Sequence, residues 1–358
     1  MEKVIVFGCG RYYQSKKAEL ESRYDVAGFL DNAIKPGEVR KFEGKDVVSP
    51  ENLSFFDENM SIILMSAAFF EMRMQLKRLD VDAQRIKTAV LLKPYYDEIE
   101  KMLSESVESI EAAEDGIVVR DKAGVNVFAT QDDWKAYLRT LFVRKYEYIE
   151  LIAKMPERPV SKRFALERGT AIDRVYIESF LKANQDKIQG TVMEIADSRY
   201  TEMFGSNVEQ SLVLHLNGWG KGVLKGSLET GEGLIPDSVD CLICTQTIQF
   251  IYDIHEVARN IHKLLKPGGT ALVTAHCLGQ ISLYDYHNWG EYWRFTDQSM
   301  YSLFEECFAK DHIAVQSWGN VKTAIAYQYG LCAEDLKEED FAYQDEQFPV
   351  IVTVSVTK

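Results

Sequence analysis

The chain has 358 residues, enough for about two domains, and with 46% hydrophobic and 27% charged residues it buries a core, which excludes a disordered, collagenous or low-complexity protein. Lys and Arg number 41 against 55 Asp and Glu, a net charge of -14, so nucleic acid and anionic membrane surfaces are disfavoured as partners. The longest nearly apolar stretch, residues 61–70, is about half of what a bilayer span needs, and the N-terminus breaks into Gly and Arg as a strand does rather than a signal peptide, so the six cysteines are expected as reduced thiols in a cytoplasmic protein.

Residues 3–7 read as a short buried strand, Gly8-Cys9-Gly10 as a turn and residues 11–22 as a polar helix. A second strand over 26–30 ends in Asp31-Asn32. Ser49-Pro50 marks a helix start. Residues 62–65 form a third strand, 71–79 a helix, and 86–92 close the unit. Strand–helix alternation with short connections predicts a parallel sheet covered by helices over residues 1–95. Residues 96–160 are assigned to a mostly helical linker region, polar and helical to about Ala113, with a hairpin around Asp121–Gly124 and a helix capped by Thr130 that stops before Pro156.

The strand running into Gly8-Cys9-Gly10 and a helix suits a nucleotide, because glycine lets a pyrophosphate approach the amides of the helix N-terminus. Asp31 lies about twenty residues on, where a ribose-binding carboxylate belongs. Gly8, Gly10 and Asp31 are therefore candidate nucleotide contacts, with Tyr13 at the third glycine position. Tyr12/Lys16 and Tyr13/Lys17 have Tyr-x-x-x-Lys spacing, but inside the glycine-turn helix they do not predict hydride chemistry. With Val26-Ala-Gly-Phe-Leu-Asp-Asn32 and Gly44-Lys-Asp-Val-Val-Ser-Pro50, residues 3–92 resemble the Rossmann-like domains of polysaccharide-biosynthesis enzymes, among them nucleotide-sugar dehydratases and sugar acetyltransferases. The resemblance implies a pocket for a nucleotide or nucleotide-sugar.

Residues 161–358 form a second domain. A helix over 172–184 precedes strands over 191–195, 212–216 and 239–244, a helix over 254–265 and a strand over 271–275. Two late strands, 312–318 and 349–356, predict an antiparallel hairpin at the end of a parallel sheet. Cys241 and Cys244 form a C-x-x-C, but strand alternation sends them to opposite faces, so no metal site is assigned. Lys266-Pro-Gly-Gly269 reads as a helix stop before a buried strand. With the acidic lead-in Pro236-Asp-Ser-Val-Asp240, this resembles the class I S-adenosylmethionine (SAM)-dependent methyltransferases. Arg168-Gly-Thr-Ala-Ile-Asp-Arg174, Tyr200-Thr201, Phe204-Gly205, Tyr292-Trp-Arg-Phe-Thr296 and Gly319-Asn320 look like a branch of that superfamily found with glycan-biosynthesis enzymes.

The resemblance implies a SAM site at Glu194, Ala196, Asp197, His215, Asn217, Glu229, Thr245 and Gln246. The sequence departs from the family there. Glu194-Ile-Ala196-Asp-Ser-Arg-Tyr200 has no glycine at the three usual places, Leu212 replaces one ribose-binding acid, and Ser227 replaces another acid, with Glu229 as the nearest carboxylate. His276 follows the strand after Pro-Gly-Gly and is the candidate general base. Tyr286, His287, Tyr292, Trp293 and Arg294 belong to the densest aromatic–polar cluster, suited to a saccharide or nucleotide-sugar. The fold expected is α/β, two Rossmann-like domains with mainly parallel sheets, the second of methyltransferase type. Two functions remain open: a SAM-dependent methyltransferase acting on a sugar, nucleotide-sugar or glycan intermediate, and a catalytically silent methyltransferase-like binding or scaffold protein. A homo-oligomer is compatible with either.

Overall fold

Residues 4–7 are fully buried, which places β1 (Glu2–Phe7) at the centre of the first of two sheets. The computed structural model describes residues 1–146, 148–218 and 222–358, and these fall into two units, Met1–Met155 and Pro156–Lys358. After β1 come α1 (Arg11–Arg23), β2 (Tyr24–Leu30), β3 (Val39–Phe42), β4 (Lys45–Val48), β5 (Ser61–Leu64), α2 (Phe69–Arg78) and β6 (Ile86–Thr88). Then follow α3 (Glu98–Ser106), β7 (Val107–Ala113), β8 (Gly116–Asp121), β9 (Gly124–Phe128), α4 (Gln131–Lys145) and α5 (Tyr148–Ala153). The nine strands lie in the order β3-β4-β2-β1-β5-β6-β7-β8-β9. Pairing is parallel from β4 to β6 and antiparallel at both margins.

The linker expected over residues 96–160 is corrected here. β7, β8 and β9 extend the first sheet, and Trp134 of α4 is buried against Phe69 and Phe128, with ring centroids 5.3 and 5.7 Å apart. Residues 107–113, read as helical, form a strand. Glu and Ala favour helix locally, but Val107 and Ile110 bury their side chains in the first core, and that tertiary gain prevails.

In the second unit the elements run α6 (Ile172–Ala183), β10 (Gly190–Ile195), α7 (Arg199–Phe204), β11 (Val208–His215), β12 (Val223–Lys225), β13 (Val239–Thr245), α8 (Ile254–Leu264) and β14 (Leu265–His276). They continue through α9 (Leu283–Asn288), α10 (Asp297–Glu305), β15 (Ile313–Trp318), α11 (Val321–Tyr329), α12 (Glu339–Ala342) and β16 (Ile351–Thr357). The sheet order is β12-β11-β10-β13-β14-β16-β15. The first five are parallel, and β16 runs antiparallel to both neighbours, so the fold is α/β with the expected terminal hairpin.

The sequence explains this sheet. Cys241 and Cys244 of β13 fall into separate clusters on its two faces, and burial pushes both thiols up to about 12. Asp253 caps α8 by accepting from the Glu256 amide at 3.1 Å, and Val257, Ala258, Ile261 and Leu264 line its buried face. After β10 the chain moves outward through β11 and β12, then returns on the other side of β10 as β13. A crevice opens at the carboxyl ends of β10 and β13, the switch point where open α/β sheets bind ligands.

Candidate functional site

A cavity of about 900 Å³ occupies that crevice. Its walls are the ends of β10, β11, β13 and β14, the segment leading into α6, and one face of α9. Three non-glycine residues with left-handed backbone line it: Phe164 (φ 56°), Ala196 (φ 72°) and Gln246 (φ 49°). Such conformations cost of order 1–3 kcal/mol each and cluster at ligand sites. Ala196 stands at the first of the places where the resemblance expects glycine, and it keeps a glycine-like conformation without the glycine.

Glu194 is buried at the end of β10. It accepts from the Tyr200 amide at 3.0 Å and from the Thr201 amide and hydroxyl at 2.8 Å each, so its carboxylate caps α7. Burial raises its pKa, and those hydrogen bonds oppose the rise. Asp197 lines the cavity and accepts from the Arg199 amide at 3.0 Å. His215 ends β11 on the cavity wall, its Nδ1 accepting from the Asn217 amide at 3.1 Å and its ring meeting the edge of Trp289. Glu229 lines the far wall beside Ser227 and Leu228 and accepts from the Asp253 amide at 3.3 Å. Thr245 and Gln246 end β13 on the same wall.

The buried end of the cavity holds the densest polar chemistry. His276 Nε2 lies 2.8 Å from Tyr327 Oη and 3.6 Å from Asp173 Oδ2, and the ring stacks against Phe164 at 6.1 Å. Burial raises the Asp173 pKa, but His276 and the Arg174 charge overcome it and hold the carboxyl below its ordinary value. Burial drives the Tyr327 phenol far above its usual range, so it stays protonated. Four buried polar atoms of residues lining the cavity have no partner among the described residues: Asp173 Oδ1, His276 Nδ1, Gln246 Nε2 and Gln249 Oε1. Donors and acceptors left buried without a partner are costly, and they make this end of the cavity polar.

Several assignments move. Asn217 is exposed and lies off the cavity wall. Leu212 lies in the body of β11, packed on the core, so the strand-end position facing the cavity belongs to His215. Tyr286, His287, Tyr292, Trp293 and Arg294 also lie off the wall. On α9 the face carrying Tyr284, Asp285, Asn288 and Trp289 points inward, and Tyr286 and His287 are on the other side. Trp293 donates from Nε1 to the Ile251 carbonyl at 3.0 Å, and Arg294 is tied to Glu291 and to the carbonyls of Trp293, Gly279 and Gln280.

In the first unit, Gly8 has φ 99° and lies against Met65 O, so its freedom serves a close approach of backbone. The Asp31 carboxylate accepts from the amides of Cys9 (3.2 Å) and Ala33 (2.9 Å), tying the Gly8–Gly10 turn to β2. Tyr13 is fully buried edge-on to Phe29 and Phe42, and Lys16 is buried in an ion pair with Glu100 at 2.7 Å.

Residues the sequence left without a role are Asp173, Arg174, Phe164 and Tyr327, whereas Trp289 stood in the aromatic cluster and Gln249 in the segment 245–249 expected beside SAM. Asp173 and Arg174 stood in a motif that carried the resemblance, without a role. Tyr327 is on α11, far along the chain, and no local pattern marks it.

Residues 189–273, within the C-terminal half, match the methyltransferase domain family. Residues 1–87 match the family of C2185-like N-terminal domains. No curated protein matches the chain. Among solved structures, it is similar to a SAM-dependent methyltransferase from Archaeoglobus fulgidus (13% identity, 52% of this chain and 94% of that one, TM-score 0.35). It is also similar to one from Mesorhizobium loti (17%, 52% and 100%, TM-score 0.36). A third is the N-methyltransferase NodS from Bradyrhizobium japonicum WM9 in complex with S-adenosyl-L-homocysteine (10%, 53% and 89%, TM-score 0.34).

Proposed function

We propose that the second unit is a SAM-dependent methyltransferase acting on a sugar, nucleotide-sugar or glycan intermediate. The observation that carries this reading is the switch-point cavity with the unpartnered polar atoms of its wall residues and the buried His276–Asp173–Tyr327 group. SAM, when bound, supplies an electrophilic methyl group. Glu194 holds the turn after β10 in shape, His215 and Glu229 flank the places of the ribose and adenine, and Leu228 offers an apolar surface to the adenine ring. Asp173 beside Nε2 favours the tautomer with its proton there, so that the buried, unpartnered Nδ1 lone pair becomes the base once an acceptor hydroxyl reaches it. Tyr284 and Trp289, on the inward face of α9, offer flat rings to a saccharide. The resemblance of the first ninety residues to domains of polysaccharide-biosynthesis enzymes supports that choice of acceptor, and a nucleotide or nucleotide-sugar is the ligand proposed for that unit.

The test is methyl transfer from labelled SAM to a panel of UDP-, GDP- and dTDP-sugars. His276→Gln is expected to reduce turnover by about 10²–10⁴ while SAM still binds. A second reading, a silent binding or scaffold protein, is favoured by one observation: neither His215 nor Ser227 offers the ribose a carboxylate. Failure of the wild-type chain to bind SAM in calorimetry would leave that reading.

A further inference from the structure

None of Asp173, His276 and Tyr327 lies within residues 189–273, the stretch that matches the methyltransferase domain family. They come from α6, the end of β14 and α11. Two groups compete for His276 Nε2. Tyr327 Oη stands at 2.8 Å, an ordinary hydrogen bond, whereas Asp173 Oδ2 at 3.6 Å is too far for a direct one. The phenol therefore fixes the rotation of the imidazole, whose face Phe164 covers. Among the described residues the phenol has no second hydrogen-bond partner.

A protonated phenol can donate to Nε2 or accept from it. If it donates, the imidazole proton sits on Nδ1, which is buried with no acceptor among the described residues, and the Asp173 charge faces a bare lone pair. If it accepts, Nε2 carries the proton and the phenol hydrogen is released to turn towards the carboxylate. The second arrangement lets one negative charge hold two hydrogens in line. After burial, the Asp173 charge is the largest influence on the phenol.

The fold keeps carboxylate and phenol side by side. Tyr176, about one turn after Asp173 on α6, donates to Thr323 Oγ1, about one turn before Tyr327 on α11, at 3.0 Å. Asn320 caps α11 by accepting from the Lys322 and Thr323 amides, so this helix is set from its first turn.

We propose that Tyr327 is a positioning residue through which Asp173 acts on His276: it accepts from Nε2–H and turns its own hydrogen to the carboxylate, so that Nδ1 keeps the lone pair. The inference rests on the reading of His276 as the base. A proton taken from an acceptor hydroxyl at Nδ1 makes the ring an imidazolium, and the Asp173 charge, relayed by the phenol, offsets it.

The experiment is NMR of the whole chain carrying nitrogen-15 histidine, with methyl-transfer kinetics beside it. His276→Gln identifies the His276 signals among those of the six histidines. Nitrogen shifts at about pH 8, above the ordinary histidine range, tell which ring nitrogen holds the proton. Wild type is expected to hold it on Nε2; a proton on Nδ1, or one on each nitrogen, overturns the proposal. Tyr327→Phe keeps the ring packing and should give a mixture of tautomers, with kcat down about tenfold to a hundredfold and KM and SAM affinity unchanged. An unchanged tautomer there overturns the role of the phenol. Tyr327→Leu, which also lacks the hydroxyl, takes its place with the same outcomes should Tyr327→Phe not fold. Asp173→Asn should shift the tautomer alone but add nothing to Tyr327→Phe. No shift alone, or a further shift in the double variant, overturns the link between carboxylate and phenol. The tautomer is read without SAM, so a chain that shows the expected tautomers but transfers no methyl group keeps the link and removes the reading of the reaction.

Discussion

Asp173 Oδ2 stands 3.6 Å from His276 Nε2, with both side chains only 6% exposed. One comes from the start of α6 and the other from the end of β14, so the pair exists only when the sheet and its covering helix are both in place.

That pairing sets an acid limit on stability. Burial alone would raise the Asp173 pKa, yet His276 and Arg174 hold it below the unfolded value. A carboxyl depressed in the native state contributes stability that is in place above about pH 4 and is lost as pH falls through the native pKa. Asp173→Asn has no such charge to lose. Denaturant unfolding at pH values from 7 down to 3 should therefore show a shallower acid decline for the variant; parallel declines would remove the linkage.

Ala196 is held at φ 72° where glycine is at no steric disadvantage. Ala196→Gly relieves about 1–2 kcal/mol of left-handed strain and gives back part through the looser unfolded chain. The net expectation is a gain of about 0.5–1 kcal/mol, or a melting temperature a few degrees higher, with SAM affinity held or improved. A lower melting temperature would contradict it.

Restoring a ribose-binding acid must follow the geometry of β11. Leu212→Asp puts a carboxylate against the second core and should cost roughly 2–3 kcal/mol without tightening SAM. His215→Asp, at the strand end, keeps an acceptor for the Asn217 amide and presents a charge to the cavity. Calorimetry is expected to show SAM binding tightened about tenfold by it. Tightening by Leu212→Asp instead would reverse the assignment.

The central strands of both units were legible because unbroken apolar runs such as residues 4–7 and 241–244 admit only buried strands. The turn after Leu264 was legible from Pro267 and Gly268, the latter at φ 81°. The glycan-linked branch and the role of each site residue are untouched by that pattern. What escaped was what depends on distant partners. Residues 107–113 look helical until β8 pairs with them, and Tyr327 gains meaning only from a histidine on another element. The aromatic cluster at 284–294 was visible as composition, but which of its members face the cavity depends on the rotation of α9, which composition does not encode.

The two units are expected to melt independently. A fragment of residues 156–358 should unfold in one cooperative transition, and Trp134→Ala, at a cost of about 3–5 kcal/mol, should lower the transition of residues 1–155 and leave that of the fragment's residues where it was. Calorimetric scans of the whole chain, the variant and the fragment test this; one merged transition that shifts as a whole would refute it.

β16 enters the second sheet last in sequence yet lies between β14 and β15, with residues 351–356 buried on both faces. Its register joins Ile351 to His276 on one side and to Trp318 on the other. During synthesis, some 75 residues separate the end of β14 from the start of β16, an interval on the order of 4–15 s at ribosomal rates. Through that interval β14 presents an unpaired edge, the hazard that makes nascent sheets stick to one another. The outer edge of β14 is therefore covered only when Ile351 and the residues after it reach it.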